Sequence, residues 1–419
     1  MKRMAFVLIS ILLLCSITLQ LTGCFMKVEA TNLMDGVSAQ RISALDDLTD
    51  GNSSVTDFAV RLLLATNEEG KNVLISPLSV ISALAMTANG ADGETLAEME
   101  SALGLNREAL NLYLYSYLNK LPEGEKYKLS VANSIWFTDD EHFLVSGDFL
   151  QTNANYYGAD IYKAPFNNRT LKDINNWVKR ETDRMIPSIL DRVPEDAVMY
   201  LINALAFEAE WAKIYEKHQV REEVFTKEDG TEINADFMYS NESRYISDEN
   251  AQGFIKYYNG GKYAFAALLP NKNVSVSDYL LTLDGESLQN MLSNYETCSV
   301  MAAIPKFKSE YSAELREVLK SMGMSTAFDE KTADFSAIGE SAVGNIYISR
   351  VLHKTYIEVG ERGTKAGAVT VVEMKNESAA GPFDEPKKVY LDRPFVYMLI
   401  DTENNIPFFI GTMMDINEK

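Results

Sequence analysis

Apolar residues along this chain recur with two periods. Around Phe58, Leu62 and Leu63 they return after three and four residues, the spacing of one helix face. SerProLeuSer at 76–79 predicts the start of a second helix, because proline is tolerated in a first turn. That helix is expected over residues 80–89, where Ala and Ser allow neighbouring backbone to approach closely. A polar helix carrying Trp177 is expected over 175–186, and a further helix over 313–322. Strand-like runs occupy 129–137, 197–211, 263–269, 299–306, 346–359, 389–400 and 407–413. The run at 197–211 is almost unbroken in its apolar character, as in a strand buried on both faces. Asn203 interrupts it, and a buried amide needs hydrogen-bond partners. Helices cluster early and strands late, so the expected class is α+β.

The segment at 361–373 departs from this order. It reads GluArgGlyThrLysAlaGlyAlaValThrValValGlu and lies between two strand-like runs. From Thr364 onward it has the β-branched residues Val369, Thr370, Val371 and Val372 and no proline, which favours a sheet over a linker. Thr364, Ala366, Ala368, Thr370 and Val372 share one face by the two-residue period, and all are small or medium-sized. Gly363 precedes this face, and glycine gives the backbone a freedom other residues lack. The segment has the character of a strand held outside its sheet.

Composition narrows the function classes. With 46% hydrophobic and 24% charged residues among 419, a sizeable core is available. A net charge of −21 argues against a nucleic-acid partner, since phosphate binding needs a basic surface. Residues 1–23 have the layout of a targeting segment, with Lys2 and Arg3 before an apolar run. LeuThrGlyCys at 21–24 resembles a bacterial lipobox and predicts lipidation of Cys24, where two acyl chains anchor stably. Residues 24–52 are expected to form a lipidated, flexible tether, with the domain occupying 53–419. The location implied is the extracellular face of a bacterial cell membrane.

Little in the chain suggests catalysis. His142, His218 and His353 show no metal-ligand spacing, and neither a phosphate loop nor a nucleophile elbow is present. Cys298 opens an apolar strand and reads as a structural thiol. No metal, no cofactor and no enzymatic activity are expected.

GluArgGlyThrLysAlaGlyAlaValThr at 361–370, followed by AspArgProPheValTyr at 392–397, resembles the hinge and carboxy-terminal signature of the serpin family. ValAlaAsnSer at 131–134, LeuIleAsnAlaLeuAlaPhe at 201–207 with Trp211, IleProLys at 304–306, HisLysThr at 353–355 and PhePheIleGlyThr at 408–412 fall in family order. The resemblance spans nearly all of residues 53–419. It implies helices packed on a large central mixed β-sheet, smaller sheets, and a long exposed reactive loop within 360–390. It also implies suicide inhibition, in which a serine protease, or a cysteine protease as a further class, is trapped covalently by a monomeric inhibitor as its loop inserts.

Residue by residue, the hinge would comprise Glu361, Gly363, Thr364, Ala366, Gly367 and Ala368, with Glu361 paired to Lys306. Ser76, Ser79, Asn203 and His353 would form a polar cluster where the sheet parts. Family spacing from Glu361 puts the reactive bond at Glu377–Ser378, with Lys375 and Met374 as alternatives because the run to ArgProPhe is longer than usual. Lys365 replaces a commonly acidic hinge residue, and Gly367 interrupts the usual alanines. Two rivals stand beside inhibition. One is a non-inhibitory surface binding protein or plain protease substrate of the same fold, and the other a hydrolase with an unrecognised site.

Overall fold

A computed structural model describes residues 28–194, 197–342, 344–364 and 385–417. The helices are α1 (Thr49–Thr66), α2 (Pro77–Ala88), α3 (Gly93–Leu103), α4 (Arg107–Leu118), α5 (Gly147–Tyr157), α6 (Asn168–Glu181), α7 (Val276–Thr282), α8 (Gly285–Ser293) and α9 (Arg316–Ser321). The early strands are β1 (Thr31–Asn32), β2 (Val73–Ile75), β3 (Tyr127–Thr138), β4 (Phe143–Val145), β5 (Asp160–Ala164), β6 (Met199–Glu210), β7 (Val220–Thr226), β8 (Glu232–Ser247) and β9 (Ala251–Tyr257). The later ones are β10 (Tyr263–Pro270), β11 (Glu296–Pro305), β12 (Phe307–Glu314), β13 (Gly339–Ser341), β14 (Arg350–Gly360), β15 (Gly363–Thr364), β16 (Lys387–Tyr390), β17 (Phe395–Asp401) and β18 (Ile406–Met413).

The class is α+β, as expected. A seven-stranded sheet runs β1-β5-β3-β6-β15-β14-β12. A nine-stranded sheet runs β16-β11-β8-β9-β10-β17-β18-β2, with β7 beside β8, and β4 and β13 form a two-stranded sheet. Every residue of β10, β17 and β18 is buried, which accounts for their unbroken apolar sequences. Helix α1 lies against α8 and β18, while α2 packs on β3, β6 and β18. Ser76 caps α2 by accepting from the Ser79 backbone N–H, and Pro77 takes the first turn. A second apolar cluster joins the outer face of the seven-stranded sheet to α6 through Trp136, Tyr162, Tyr200, Ile174 and Trp177.

Several elements differ from their expected bounds. The polar helix begins at Asn168 behind an Asn167–Thr170 capping box and has ended before Asp183 and Arg184, both at positive φ. The expected helix at 313–322 starts only at Arg316, because Ala313 and Glu314 pair with His353 and Leu352 in the sheet. The run at 389–400 is two strands in which β16 pairs β11 and β17 pairs β10 and β18, with Leu391–Pro394 turning between them.

The largest correction concerns the expected tether. From Val28 the chain is bound to the domain. The Glu29 and Ala30 N–H groups donate to the Asp173 carboxylate at 3.0 and 2.9 Å, and β1 adds an edge strand to β5. Further along, Leu45 N–H donates to Ser116 Oγ and Lys120 Nζ donates to Leu45 O. Polar composition hid this docking, because much of it is carried by backbone groups. The targeting segment and Cys24 lie outside the described residues.

The seven-stranded sheet changes character along its length. At one end β14 pairs directly and in parallel with β6, from Arg350↔Tyr200 to Lys354↔Ala204. At the other end β15 sits between them, with Thr364 opposite both Val359 and Ala209. Among the described residues, no ladder pairs join 355–358 to 205–208 in the stretch between.

Candidate functional site

Residues 360–364 form a hairpin turn whose short returning strand, β15, enters the seven-stranded sheet. Gly363 is at φ +155°, and a Cβ there would lie 1.9 Å from Ala209 O, so only glycine fits both the backbone angle and the close approach. Thr364 is buried, and its hydroxyl hydrogen-bonds the Tyr258 hydroxyl. Glu361 meets Lys306 at 2.9 Å, and Lys306 also reaches Asp236 at 2.9 Å. The bonds to Glu361 and then Asp236 raise the Lys306 pKa. Burial, the largest single influence, acts to raise the pKa of Glu361, but the Lys306 hydrogen bond, a backbone hydrogen bond and the lysine's charge together outweigh it and hold the carboxyl below its ordinary value.

The turn rests on an aromatic platform. Trp211 donates its backbone N–H to Arg362 O and its indole N–H to Gly360 O, both at 2.8 Å. The Tyr215 backbone N–H donates to Glu361 O at 2.9 Å. The Trp211 ring stacks on Tyr258 at 4.3 Å with 6° between planes. Beneath lies an ion pair at 2.9 Å between the buried Lys256 and Glu242, whose side chain is 13% exposed. Burial works against the Lys256 ammonium, yet Tyr215 and Glu242 outweigh it and keep its pKa above the ordinary lysine value. The sequence reading named none of Tyr215, Glu242, Lys256 or Tyr258 and used Trp211 only as a marker. The one available signal was an isolated cation, Lys256, within an otherwise largely apolar strand.

Ser76, Ser79, Asn203 and His353 come together where the ladder between β6 and β14 begins. His353 stands opposite Asn203, and its Nε2 accepts from the Ser76 backbone N–H at 3.0 Å. The ring proton therefore resides on Nδ1. Burial lowers the His353 pKa to about 3, so the ring is neutral at physiological pH. Asn133 joins the group from β3, opposite Asn203. With its amide turned to suit its neighbours, it donates to Ser79 O at 3.1 Å and Ala132 O at 3.3 Å. Asn203 was expected to find partners, yet among the described residues neither of its amide atoms has one, nor does His353 Nδ1.

Ala366, Gly367, Ala368, Met374, Lys375, Glu377 and Ser378 lie outside the described residues. Cys298 is half-buried and packs against the main core. Among the described residues, no cluster of His, Cys, Asp or Glu could hold a metal ion, and no helix is long and apolar enough to cross a membrane.

Comparison with known families is decisive. The family model described as Serpin (serine protease inhibitor) matches residues 53–416. The chain belongs to the serpin family. Serpins are protease inhibitors, not enzymes. This serpin is 30% identical over 370 residues to an uncharacterized serpin-like protein of Thermococcus kodakarensis, covering 87% of this chain and 85% of the relative. Among solved structures it is similar to the thermophilic serpin tengpin in its native state, at 49% identity and a TM-score of 0.88, covering 93% of this chain and all of that one. Against tengpin in its latent state the TM-score is 0.78 at 47% identity, covering 90% of this chain and all of that one. The backbone of this serpin is thus nearer the native arrangement than the latent one.

Proposed function

We propose that this serpin is a suicide inhibitor of serine proteases, displayed outside a bacterial membrane through a lipid on Cys24. The protease serine attacks a loop carbonyl. The peptide bond breaks, the new amino terminus leaves with the proton, and the loop carbonyl remains esterified to the enzyme. The loop segment beyond Thr364 then enters the sheet, and displacement of the attached protease prevents water from completing hydrolysis. Serpin loop insertion is an established instance of strand addition. The observation that carries this reading is that β15 already occupies the gap, laddered to both β6 and β14. Immediately beyond it, residues 355–358 and 205–208 are unpaired with each other, and an incoming strand would satisfy their backbone groups.

The reactive bond we favour is Glu377–Ser378, with Lys375 and Met374 as alternatives. The test mixes the full-length protein in mild detergent with acid-preferring, trypsin-like and subtilisin-like proteases, followed by denaturing electrophoresis. A covalent band at the summed mass less the released carboxy-terminal fragment is expected, with Ser378 as that fragment's new amino terminus. Clean loop cleavage by every protease, each remaining active, would instead support the binding-protein or substrate reading. Replacing Cys24 with Ala is expected to move the protein from the membrane to the soluble fraction.

A further inference from the structure

Beneath the hairpin turn lies a charge pair whose cost in stability is hard to justify by packing. Lys256 on β9 is 3% exposed, and its ammonium donates to Glu242 Oε1 on β8 at 2.9 Å. The same ammonium stands 4.5 Å from the Tyr215 ring centroid and 5.3 Å from that of Trp211. Glu242 is held in turn, because Ser240 Oγ donates to its Oε1 at 2.6 Å and lies 3.2 Å from the Tyr215 hydroxyl. Cation, carboxylate, hydroxyl and phenol therefore close a ring of contacts around Tyr215. Tyr215 and Trp211 together bind the carbonyls of Gly360, Glu361 and Arg362.

Apolar residues of similar volume commonly replace a buried ion pair without loss of stability, so stability alone gives little reason for one here. A desolvated ammonium against two aromatic faces does something apolar packing does not: it fixes the direction in which each ring and its hydrogen bonds point. Direction matters at this place because a hairpin turn sets the register of the strand that follows it. A one-residue slip at 360–364 would turn the small face of the incoming segment to the wrong side of the sheet.

We propose that Lys256 and Glu242 are positioning residues for loop insertion. They orient the Tyr215–Trp211 platform, which holds the hairpin turn in register and thereby sets how fast the cleaved loop enters the sheet. The inference rests on the insertion mechanism proposed above and adds the residues that govern its rate.

The test compares full-length wild type with K256M, K256R, E242Q and the double variant K256M/E242M, using a protease that wild type traps. The first readout is the ratio of cleaved inhibitor to covalent complex, which measures insertion against completed hydrolysis. The second is thermal unfolding of the uncleaved protein. K256M and E242Q are expected to shift the ratio toward cleaved inhibitor on the order of tenfold, the effect of losing one charge-assisted hydrogen bond. K256R, which keeps the cation, is expected to restore most of the trapping. The double variant leaves no buried charge unpaired, so it is expected to unfold like wild type and still trap poorly. A double variant that traps as well as wild type overturns the inference, as does a K256R no better than K256M. If wild type itself neither traps any protease nor gains thermal stability on loop cleavage, the insertion mechanism falls and this inference with it. Wild-type trapping with variants that keep pace overturns this inference alone.

Discussion

Lys306 and Glu361 hold each other at 2.9 Å, and Asp236 lies at the same distance on the lysine's other side. The contact ties the turn before β15 to the strand junction after β11. Both side chains are more than a third exposed or close to it, so the pair is screened and contributes at most about 1 kcal/mol. E361Q is therefore expected to lower the midpoint of thermal unfolding only slightly. Because the folded carboxyl titrates below its unfolded value, its contribution is full above the ordinary Glu pKa and is lost as pH falls through the depressed one. Comparing wild type and E361Q at pH 7 and at successively lower pH checks this: a difference at neutral pH should shrink as the solution is acidified.

Gly363 is expected to tolerate no other residue. G363A places a Cβ against Ala209 O in a backbone conformation that L-residues rarely adopt. The strain, about 1 kcal/mol or more from the backbone alone, is relieved most directly if β15 leaves the sheet. Slower covalent trapping, together with new amide exchange at Thr364 and Ala209, would show that departure. Unchanged exchange would contradict it.

His353 predicts a pH dependence of opposite origin to an acid group. The folded ring stays neutral down to about pH 3, whereas the unfolded ring gains a proton near 6.5. As pH falls, the unfolded chain therefore binds the proton first, and stability present above 6.5 is lost progressively toward 3. Between pH 7 and pH 5 the loss should be about 2 kcal/mol. Urea unfolding of wild type and H353N at the two pH values tests it, and the variant should lack most of this slope.

Loop insertion also makes a residue-specific prediction. If the loop inserts as proposed and keeps the register of Thr364 opposite Val359 and Ala209, position 370 would come beside His353 and Asn203. On the inserted strand, a threonine hydroxyl at that position would reach side-chain atoms that have no partner among the described residues. T370V is nearly the same size and is expected to reduce the stability of the cleaved, inserted form by about 1–2 kcal/mol, while changing the uncleaved form little. Equal effects on both forms would count against this register.

The docked amino-terminal stretch should stabilise the whole domain. Asp173 accepts two backbone N–H groups from it, so D173A leaves both donors without their carboxylate and should cost about 1–3 kcal/mol. Deleting residues 28–48 should cost more, since β1 and its contacts go as well. Differential scanning calorimetry of the two variants gives the comparison.

What could be read in the sequence was whatever burial imprints on one segment at a time. The core strand at 197–211 was legible because both its faces are buried, and the observed Met199–Glu210 fits within it. Of the expected hinge, Gly363 was legible as the residue that permits the turn, whereas Ala366, Gly367 and Ala368 lie outside the described residues. Ala313 was misread because its preference for helix was overridden by pairing with His353. The Lys256–Glu242 pair left almost no trace. Glu242 lies on a strand of alternating exposure rich in acids, and only the neighbouring placement of β8 and β9 with Trp211 and Tyr215 makes it the partner of a buried lysine. Asn133 likewise acquires meaning only from its register with Asn203.

The stitching of β1 onto β5 has a geometric consequence for a lipid on Cys24. Only residues 25–27 lie between that cysteine and Val28, a reach of at most about 14 Å, so the globule would ride close against the bilayer rather than swing from a long leash. Thr31 and Asn32 attach level with Phe137 and Trp136, while the root of the loop lies level with Ala209, about ten residues or 30 Å farther along the sheet. Fastened at one end and baited at the other, the molecule would present its loop outward, toward whatever enzyme approaches from the medium.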